Sequence, residues 1–399
     1  MGRSPELGRP KEEELKDKPH EPVSDTLGLE VSLGDGGRAY AAYPNLRGAR
    51  WLFPAGRKEI RRAGLREFFH PRSLKGRAFR AAVASGGFRG QRVSLAEEPL
   101  EKLEHELAGI LGAEVDLGFY VGSPGAYRKS TALVLDATGR TLAFARIATN
   151  PRTRAKLEAE RHNLLWLSGS PELHGRVPRV LGHFHCDASE VLVISGGPPW
   201  PGPDSITGPH LDFCQVLFEC SVPDEPGRVF SESPAYTRLF STLERIESGL
   251  PEETSSLLYR AADRLGHGLG EIRVPLSVAH GDFAPWNTRI GTRGLFVFDW
   301  DYTAERATPL HDLFYFHSIQ SALLGRREHL PGRDEIESLL RRIWPEGRRH
   351  LPWLYLAYLL DVSLLYGEAR VIEPDAGEDR VWRWFLDRIQ SFLDDGSPL

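Results

Sequence analysis

The chain has 399 residues, enough for two or three domain-sized units with a sizeable core. A formal charge of −5, with 26% charged and 41% hydrophobic residues, excludes a global electrostatic pull toward nucleic acid. Its three cysteines, Cys186, Cys214 and Cys220, lack CxxC spacing and read as reduced thiols.

The opening Met-Gly-Arg-Ser-Pro-Glu lacks the apolar run of a secretory signal. The most apolar stretch, residues 351–366, is too short to span a bilayer and contains Asp361. The expectation is a cytoplasmic protein with no transmembrane segment. Residues 1–25 are charged and polar with several prolines, and read as a disordered tail. Residues 26–97 form a basic accessory segment. Strand-like pieces at 29–33, 38–42 and 51–53 lead into a stretch in which thirteen Lys/Arg, from Arg47 to Arg92, are opposed only by Glu59 and Glu67. This stretch is either the solvated face of a subdomain or a patch (residues 47–92) for an anionic partner such as a phosphorylated glycan, a nucleotide sugar or an anionic lipid surface. No nucleic-acid partner is expected.

Residues 98–197 read as a strand-rich lobe. Apolar spacing at Leu103, Leu107, Ile110 and Leu111 predicts a helix over 99–111. Strands follow at 115–121, 131–136 and 141–148, the last two joined by the turn signal Ala-Thr-Gly. Pro151 opens a helix to 167, and strands are expected at 178–184 and 190–194. Residues 195–203, Ser-Gly-Gly-Pro-Pro-Trp-Pro-Gly-Pro, suit neither helix nor strand and read as a hinge. From 198 to 399 the pattern is helical, with helices expected near 209–219, 234–248, 253–269, 309–324, 334–343, 351–369 and 379–393.

The loop Gly122-Ser123-Pro124-Gly125 lies between two strands, and its glycines let backbone N–H groups approach an anion. It stands ahead of a strand bearing Arg146 and a helix bearing Glu160. A strand cation paired with a helical glutamate is how kinase-type folds aim positive charge at nucleotide phosphates. Lys129 is a second candidate cation.

The most informative stretch is 278–302, Val-Ala-His-Gly-Asp-Phe-Ala-Pro-Trp-Asn followed by an apolar strand ending in Asp-Trp-Asp. Asp282 and Asn287 on one loop, with Asp299 delivered by the strand, suit phosphoryl transfer. One carboxylate orients an attacking hydroxyl and accepts its proton, while an amide oxygen and a second carboxylate hold magnesium against the phosphates. Asp282 is the catalytic candidate, and Asn287 and Asp299 are the metal candidates. Asp301 either touches a second magnesium or caps the turn. His280 reads as a buried brace of the loop. Asp312 reads as a structural carboxylate that accepts backbone N–H groups from that loop or caps its own helix.

His-Gly-Asp-Phe-Ala-Pro-Trp-Asn with Val-Phe-Asp-Trp-Asp resembles the signature of the aminoglycoside phosphotransferase and choline kinase family, over roughly residues 100–395. The resemblance implies an α+β, two-lobed protein-kinase-like fold: a small antiparallel-sheet N-lobe that binds nucleotide, and a mostly helical C-lobe. It implies ATP or GTP as donor, Mg2+ and a small hydroxylated acceptor. By position, Asp282 becomes the catalytic aspartate and Asn287 and Asp299 the magnesium ligands. Gly122, Ser123, Gly125, Arg146 and Glu160 fall on the nucleotide side. Where the family usually carries lysine, this chain has Arg146, which keeps the charge but is larger, planar and differently hydrated. The expected function is ATP-dependent transfer to a hydroxyl of a sugar, aminoglycoside-like or amino-alcohol acceptor. The alternative is a weak or inactive nucleotide-binding scaffold. A cationic acceptor would call on Asp361, Glu368, Glu373 and Asp375 with Trp353, Tyr355 and Tyr358. A sugar or glycan-related hydroxyl is the preferred expectation.

Overall fold

The computed structural model of the chain describes residues 21–33, 36–46, 48–71, 74–122, 127–221, 227–325, 333–373 and 379–396. The chain divides into two compact units. The first holds the described residues up to 122 together with 128–151 and 181–193, and the second holds the remainder.

The first unit is built on a nine-stranded sheet. Its strands are β1 (Val31–Ser32), β2 (Arg38–Tyr43), β3 (Trp51–Pro54), β4 (Gln91–Leu95), β5 (Asp116–Val121), β6 (Ser130–Leu135), β7 (Thr141–Ala148), β8 (Val180–Cys186) and β9 (Ser189–Ser195), in the order β1-β4-β2-β3-β5-β6-β7-β9-β8. Four helices accompany it: α1 (Glu21–Leu27), α2 (Lys58–Phe68), α3 (Leu74–Ser85) and α4 (Glu97–Leu111).

Residues alternate in side along β6, and the core divides accordingly. Ala132 and Val134 join a cluster with Val23 and Leu27 of α1 and Leu100, Leu103 and Leu107 of α4. Leu133 and Leu135 pack instead against Ile60 and Ala63 of α2. Leu65 of α2 and Val83 of α3 continue that second layer over Tyr43, Trp51 and Phe53. Every residue of β6 is therefore buried, which explains the unbroken apolar run Ala132–Leu135 rather than an alternating one.

This changes the reading of the basic segment. It is no appendage to the sheet, because β3 pairs antiparallel with β5, Trp51 opposite Tyr120. The expected boundary between 97 and 98 is thus not a boundary of the sheet. The two unpredicted helices α2 and α3 supply its second covering layer, with Ile60, Ala63 and Leu65 inward and Lys58, Arg62, Arg66, Lys75 and Arg77 exposed. The tail also ends earlier than expected, since 21–25 belong to α1 and residues 1–20 lie outside the described residues. The β6–β7 hairpin follows its turn chemistry. Asp136 Oδ1 accepts from the N–H groups of Thr138 (2.9 Å) and Arg140 (3.0 Å), and Gly139 takes φ +81°.

The second unit is mostly helical: α5 (Pro151–Leu167), α6 (Gly208–Cys220), α7 (Pro234–Ile246), α8 (Glu252–Leu269), α9 (His311–Leu324), α10 (Arg333–Ile343), α11 (Leu351–Ile372) and α12 (Asp379–Asp395). From Arg152 onward α5 groups here rather than with the strands, against the expected 98–197 lobe. The starts are chemically marked: Pro151 opens α5, and Ser233 Oγ accepts from Tyr236 N at 3.2 Å ahead of α7. The apolar α11 buries Leu354, Tyr355, Leu356, Tyr358, Leu359 and Leu360, so it is a core helix. Among the described residues, no helix is long and apolar enough to cross a membrane.

Short strands complete the unit: β10 (Trp200–Pro201), β11 (Arg228–Val229), β12 (Arg273–Val274), β13 (Ser277–Ala279), β14 (Thr288–Gly291), β15 (Gly294–Val297) and β16 (Ala304–Ala307). The stretch 195–203 is not wholly irregular: Trp200 and Pro201 pair antiparallel with Ile290 and Arg289 of β14. Proline is tolerated there because β10 is an edge strand.

Candidate active site

The site is assembled within the second unit by one loop and one hairpin. β13 leads into residues 280–284 and a tight turn, Pro285–Asn287. The β14–β15 hairpin then returns the chain, and Phe298 N donates to the Asn287 carbonyl at 3.1 Å. Asp282, Asn287 and Asp299 are brought together in this way.

His280 is fully buried and braces the loop as expected. Its Nδ1 accepts the Asp282 N–H at 3.1 Å, so its proton sits on Nε2, which donates to the Phe298 carbonyl at 3.0 Å. Burial lowers its pKa and keeps the imidazole neutral. Asp312, at the start of α9, accepts the N–H groups of His280 (2.8 Å) and Gly281 (3.1 Å). Gly281 has φ +81°, and a Cβ there would collide with the Tyr302 backbone oxygen, so only glycine fits.

Asn287 Nδ2 donates to Asp282 Oδ2 at 2.7 Å and to the Asp282 carbonyl at 2.9 Å. With its NH2 turned toward Asp282, the amide presents its carbonyl oxygen as its remaining donor atom. The Asp282 carboxyl is pushed up to about 7, first by burial and then by the charge of Asp299, against hydrogen bonds from Tyr315 and Asn287. Asp299 adopts a left-handed conformation, φ 75° and ψ 61°, uncommon for any residue with a side chain. Asp282, with Asp299 close enough to raise its proton affinity, and the amide oxygen of Asn287 make an all-oxygen donor set. That set fits a hard divalent cation such as magnesium, whose charge would relieve their repulsion.

Asp301 is buried, and its carbonyl accepts from Lys156 Nζ of α5 at 3.1 Å. The ammonium also lies 3.7 Å from the Tyr302 ring centroid. Neither contact of Lys156 was legible, nor was the hydrogen bond between Tyr315 and Asp282. For Tyr315 a signal existed, since it stands three residues after Asp312 on one helix and so shares its face.

The residues expected on the nucleotide side are distributed over both units. Gly122 closes β5, where its N–H donates to the Lys129 carbonyl at 3.1 Å and its own carbonyl accepts from Arg128 Nε at 3.0 Å. Ser123 and Gly125 lie outside the described residues. Arg146 stands on β7 in the first unit, its guanidinium donating to Thr131 Oγ1 at 2.9 Å. Glu160 is buried on α5 in the second unit.

Beside the loop, the second unit holds a cleft of about 490 Å³, lined by Gly281, Tyr302, Arg238, His311, Asp361 and Glu368 among others. Arg238 NH2 lies 3.2 Å from both Asp361 oxygens and its NH1 donates to the Arg306 carbonyl at 3.1 Å. His311 Nε2 is 3.2 Å from Asp361 Oδ2, while its Nδ1 is 3.8 Å from Asp312, a Coulombic contact only. Burial works against charging all three. Asp312 and Asp361 nevertheless raise His311 to about 9, and Arg238 and His311 hold Asp361 down to about 2. Tyr355 and Tyr358 are buried in the core, and Trp353 packs against Phe392, so none of these aromatics is displayed for a cationic acceptor. Glu373 lies 3.9 Å from Arg152, and Asp375 is outside the described residues.

The chain is thus an α+β protein of a sheet-based unit and a helical unit, with this loop in the helical one. No protein-family profile and no curated protein matches it. Among solved structures it is similar to the aminoglycoside phosphotransferase APH(3'')-Id from Streptomyces rimosus, at 23% identity and a TM-score of 0.42 over 65% of this chain and 96% of that one. It is similar to the choline kinase LicA from Streptococcus pneumoniae at 16% identity and a TM-score of 0.49, over 75% of this chain and 99% of that one. It is also similar to an ethanolamine kinase from Plasmodium vivax at 11% identity and a TM-score of 0.49, over 69% and 81% of the two chains.

Proposed function

We propose that the protein is an ATP-dependent phosphotransferase acting on a hydroxyl of a small acceptor. The observation that carries this reading is the held pair Asp282 and Asn287, 2.7 Å apart, with Asp299 close enough to raise the proton affinity of Asp282. Asp282 orients the acceptor hydroxyl and takes its proton as that oxygen bonds to the γ-phosphorus. The nucleoside diphosphate leaves with the electron pair of the broken bond. Asn287 and Asp299 hold Mg2+, which supplies charge neutralisation on the phosphates when bound. His280 and Asp312 keep the loop in place, and tight positioning is the larger part of such catalysis. On the nucleotide side, Gly122, Ser123 and Gly125 are the proposed phosphate cover, with Arg146 the proposed phosphate cation and Glu160 a further proposed residue of that side.

The test is turnover of Mg-ATP with acceptor by the wild type and by Asp282→Ala. Loss of at least about a hundredfold in kcat, with nucleotide affinity largely kept, is expected. Unchanged turnover in the variant overturns the assignment.

A weak or inactive scaffold is the second reading, and one observation favours it. The cation on β7 is arginine, and its guanidinium is engaged with Thr131. ATP binding without transfer to any acceptor would decide for it. For the basic stretch, the exposed Lys58, Arg62, Arg66, Lys75 and Arg77 support an anionic partner. Loss of such binding in a variant with those five residues changed to glutamine is the check.

A further inference from the structure

The nine-stranded sheet of the first unit separates charge. Alternation along β6 turns Leu133 and Leu135 toward α2, and Ala132 and Val134 toward the side of α4. So α2 and α3 cover one face of the sheet and α4 covers the other. On the outer side of α4, Glu97, Glu98, Glu101 and Glu106 are exposed, and Lys102 is the one Lys or Arg in that helix.

The α2–α3 face has the opposite sign. Lys58, Arg62 and Arg66 are exposed at four-residue steps along α2, about 6 Å apart along its axis. Arg62 Nε donates to the Ala84 carbonyl of α3 at 3.4 Å, so the two helices lie side by side. Lys75 and Arg77 are exposed on α3. Arg92 of β4 points to this side too, because its neighbour Val93 points into the core under α4. The carboxylates here do not balance these cations. Asp116 meets Arg57 at 2.6 Å and Glu67 meets Arg66 at 3.4 Å, which leaves Glu59 exposed on α2. Among the described residues, Lys58, Arg62, Lys75, Arg77 and Arg92 make no ion pair, and Glu59 offsets the charge of only one of them. A face that serves solvation alone intersperses the two signs.

A second feature narrows the partner. Leu74, at the start of α3, is 83% exposed, more than any other large apolar side chain described. Exposed Ala78 and Ala81 follow it at helical spacing, with Lys75 and Arg77 alongside. Neither helix carries a tryptophan or tyrosine that could stack on bases, and Phe68 and Phe79 are engaged with Tyr120 and with Phe69 and Phe88. A nucleic acid or an acidic glycan would answer the charge and leave Leu74 in water. A bilayer with anionic headgroups answers both, since the headgroups meet the cations and the acyl boundary takes the leucine.

We propose that the α2–α3 face docks the first unit on an anionic lipid surface, with Lys58, Arg62, Lys75 and Arg77 on the headgroups and Leu74 entering the acyl boundary. This deepens the reading of the basic stretch as a surface for an anionic partner and rests on it, and it does not depend on phosphotransfer. The acidic α4 face, across the sheet, is repelled by the same surface and so fixes which side of the unit approaches.

The test is co-sedimentation of the full chain with vesicles of phosphatidylcholine alone and of an equimolar mixture with phosphatidylglycerol. A fluorescent DNA duplex serves as a second polyanion. At about 50 mM salt the wild type is expected to partition at least about tenfold more onto the mixed vesicles, and about 500 mM salt should remove most of the difference. Lys75→Gln combined with Arg77→Gln should lower the partitioning by about tenfold or more. Leu74→Ser should lower it by at least about threefold and leave any affinity for the duplex unchanged. The combined variant Arg62→Lys, Arg66→Lys and Arg77→Lys, which keeps the charge without the guanidinium fork, should stay within about twofold of wild type.

Equal partitioning of wild type onto the two kinds of vesicle overturns the proposal. So does a Leu74→Ser variant that binds the mixed vesicles as well as wild type does. A loss of about tenfold or more in the lysine variant also overturns it, since it marks a site for individual phosphate groups rather than a surface. Binding of the duplex without binding of the vesicles overturns it and leaves the anionic-partner reading standing, whereas binding of neither overturns both.

Discussion

His311 Nε2 lies 3.2 Å from Asp361 Oδ2, which ties the first residue of α9 to the middle of α11 across 50 positions of sequence. His311 is buried and Asp361 half-buried, so each stabilises the charged form of the other, and Arg238 adds to the hold on Asp361. Asp312, which accepts the N–H groups of His280 and Gly281, is the next residue, so this ion cluster and the 280–287 loop share one helix start.

A pH dependence of stability follows. His311 is raised to about 9, so its contribution is complete below the ordinary histidine value of about 6.5 and is lost as pH rises through about 9. Asp361 is lowered to about 2, so its contribution is complete above about 4 and is lost as pH falls through about 2. Thermal melting between pH 6 and 10 should show an alkaline decline of on the order of 2 kcal/mol that His311→Gln removes. An identical decline in that variant would place its origin elsewhere.

Asp312→Ala should be strongly destabilising. It leaves the buried N–H groups of His280 and Gly281 without their acceptor, at a cost of about 2–4 kcal/mol. Denaturant unfolding reads this directly. In the folded fraction, kcat should fall by about a hundredfold while the nucleotide KM changes little, because the loop and not the nucleotide contact has moved.

Gly281→Ala tests the loop backbone itself. At φ +81° and against the Tyr302 carbonyl, an added methyl should cost about 2 kcal/mol or more. Gly109→Ala, in α4 with nothing near its added methyl, should instead stabilise by about 0.5–1 kcal/mol. Equal melting temperatures for the two variants would contradict the geometry.

Arg146→Ala addresses the nucleotide side. If the guanidinium meets the phosphates, the nucleotide KM should rise by about tenfold or more with a smaller change in kcat. An unchanged KM would remove Arg146 from that role and leave it as a sheet residue bonded to Thr131.

Much of the site was legible because its parts are close in sequence. Asp282, Asn287 and Asp299 lie within one loop and one hairpin, and His280 sits in the same loop it braces. Asp312 could be read either as a loop acceptor or as a cap of its own helix until the N–H groups of His280 and Gly281 were seen to meet it. What was not legible depends on partners far apart. The Arg238–Asp361 pair spans 123 positions, and the Arg245–Glu368 pair the same, so no local pattern announces that the acidic residues are already neutralised. The basic segment is the plainest case. Its charge was countable, but β3 pairing with β5 and α2 packing on Leu133 and Leu135 were not, because a helix shows only which face is apolar and never what covers it.

By itself the sequence determined the order of the elements and the grouping of Asp282, Asn287 and Asp299, since turn chemistry, helix starts and the loop motif are local and act through neighbouring residues. The tertiary structure decided that residues 26–97 complete the sheet and that Arg238 and Arg245 meet Asp361 and Glu368. Both are outcomes of long-range pairing, in which the partner of a strand edge or a buried charge is chosen by the packing of the whole unit.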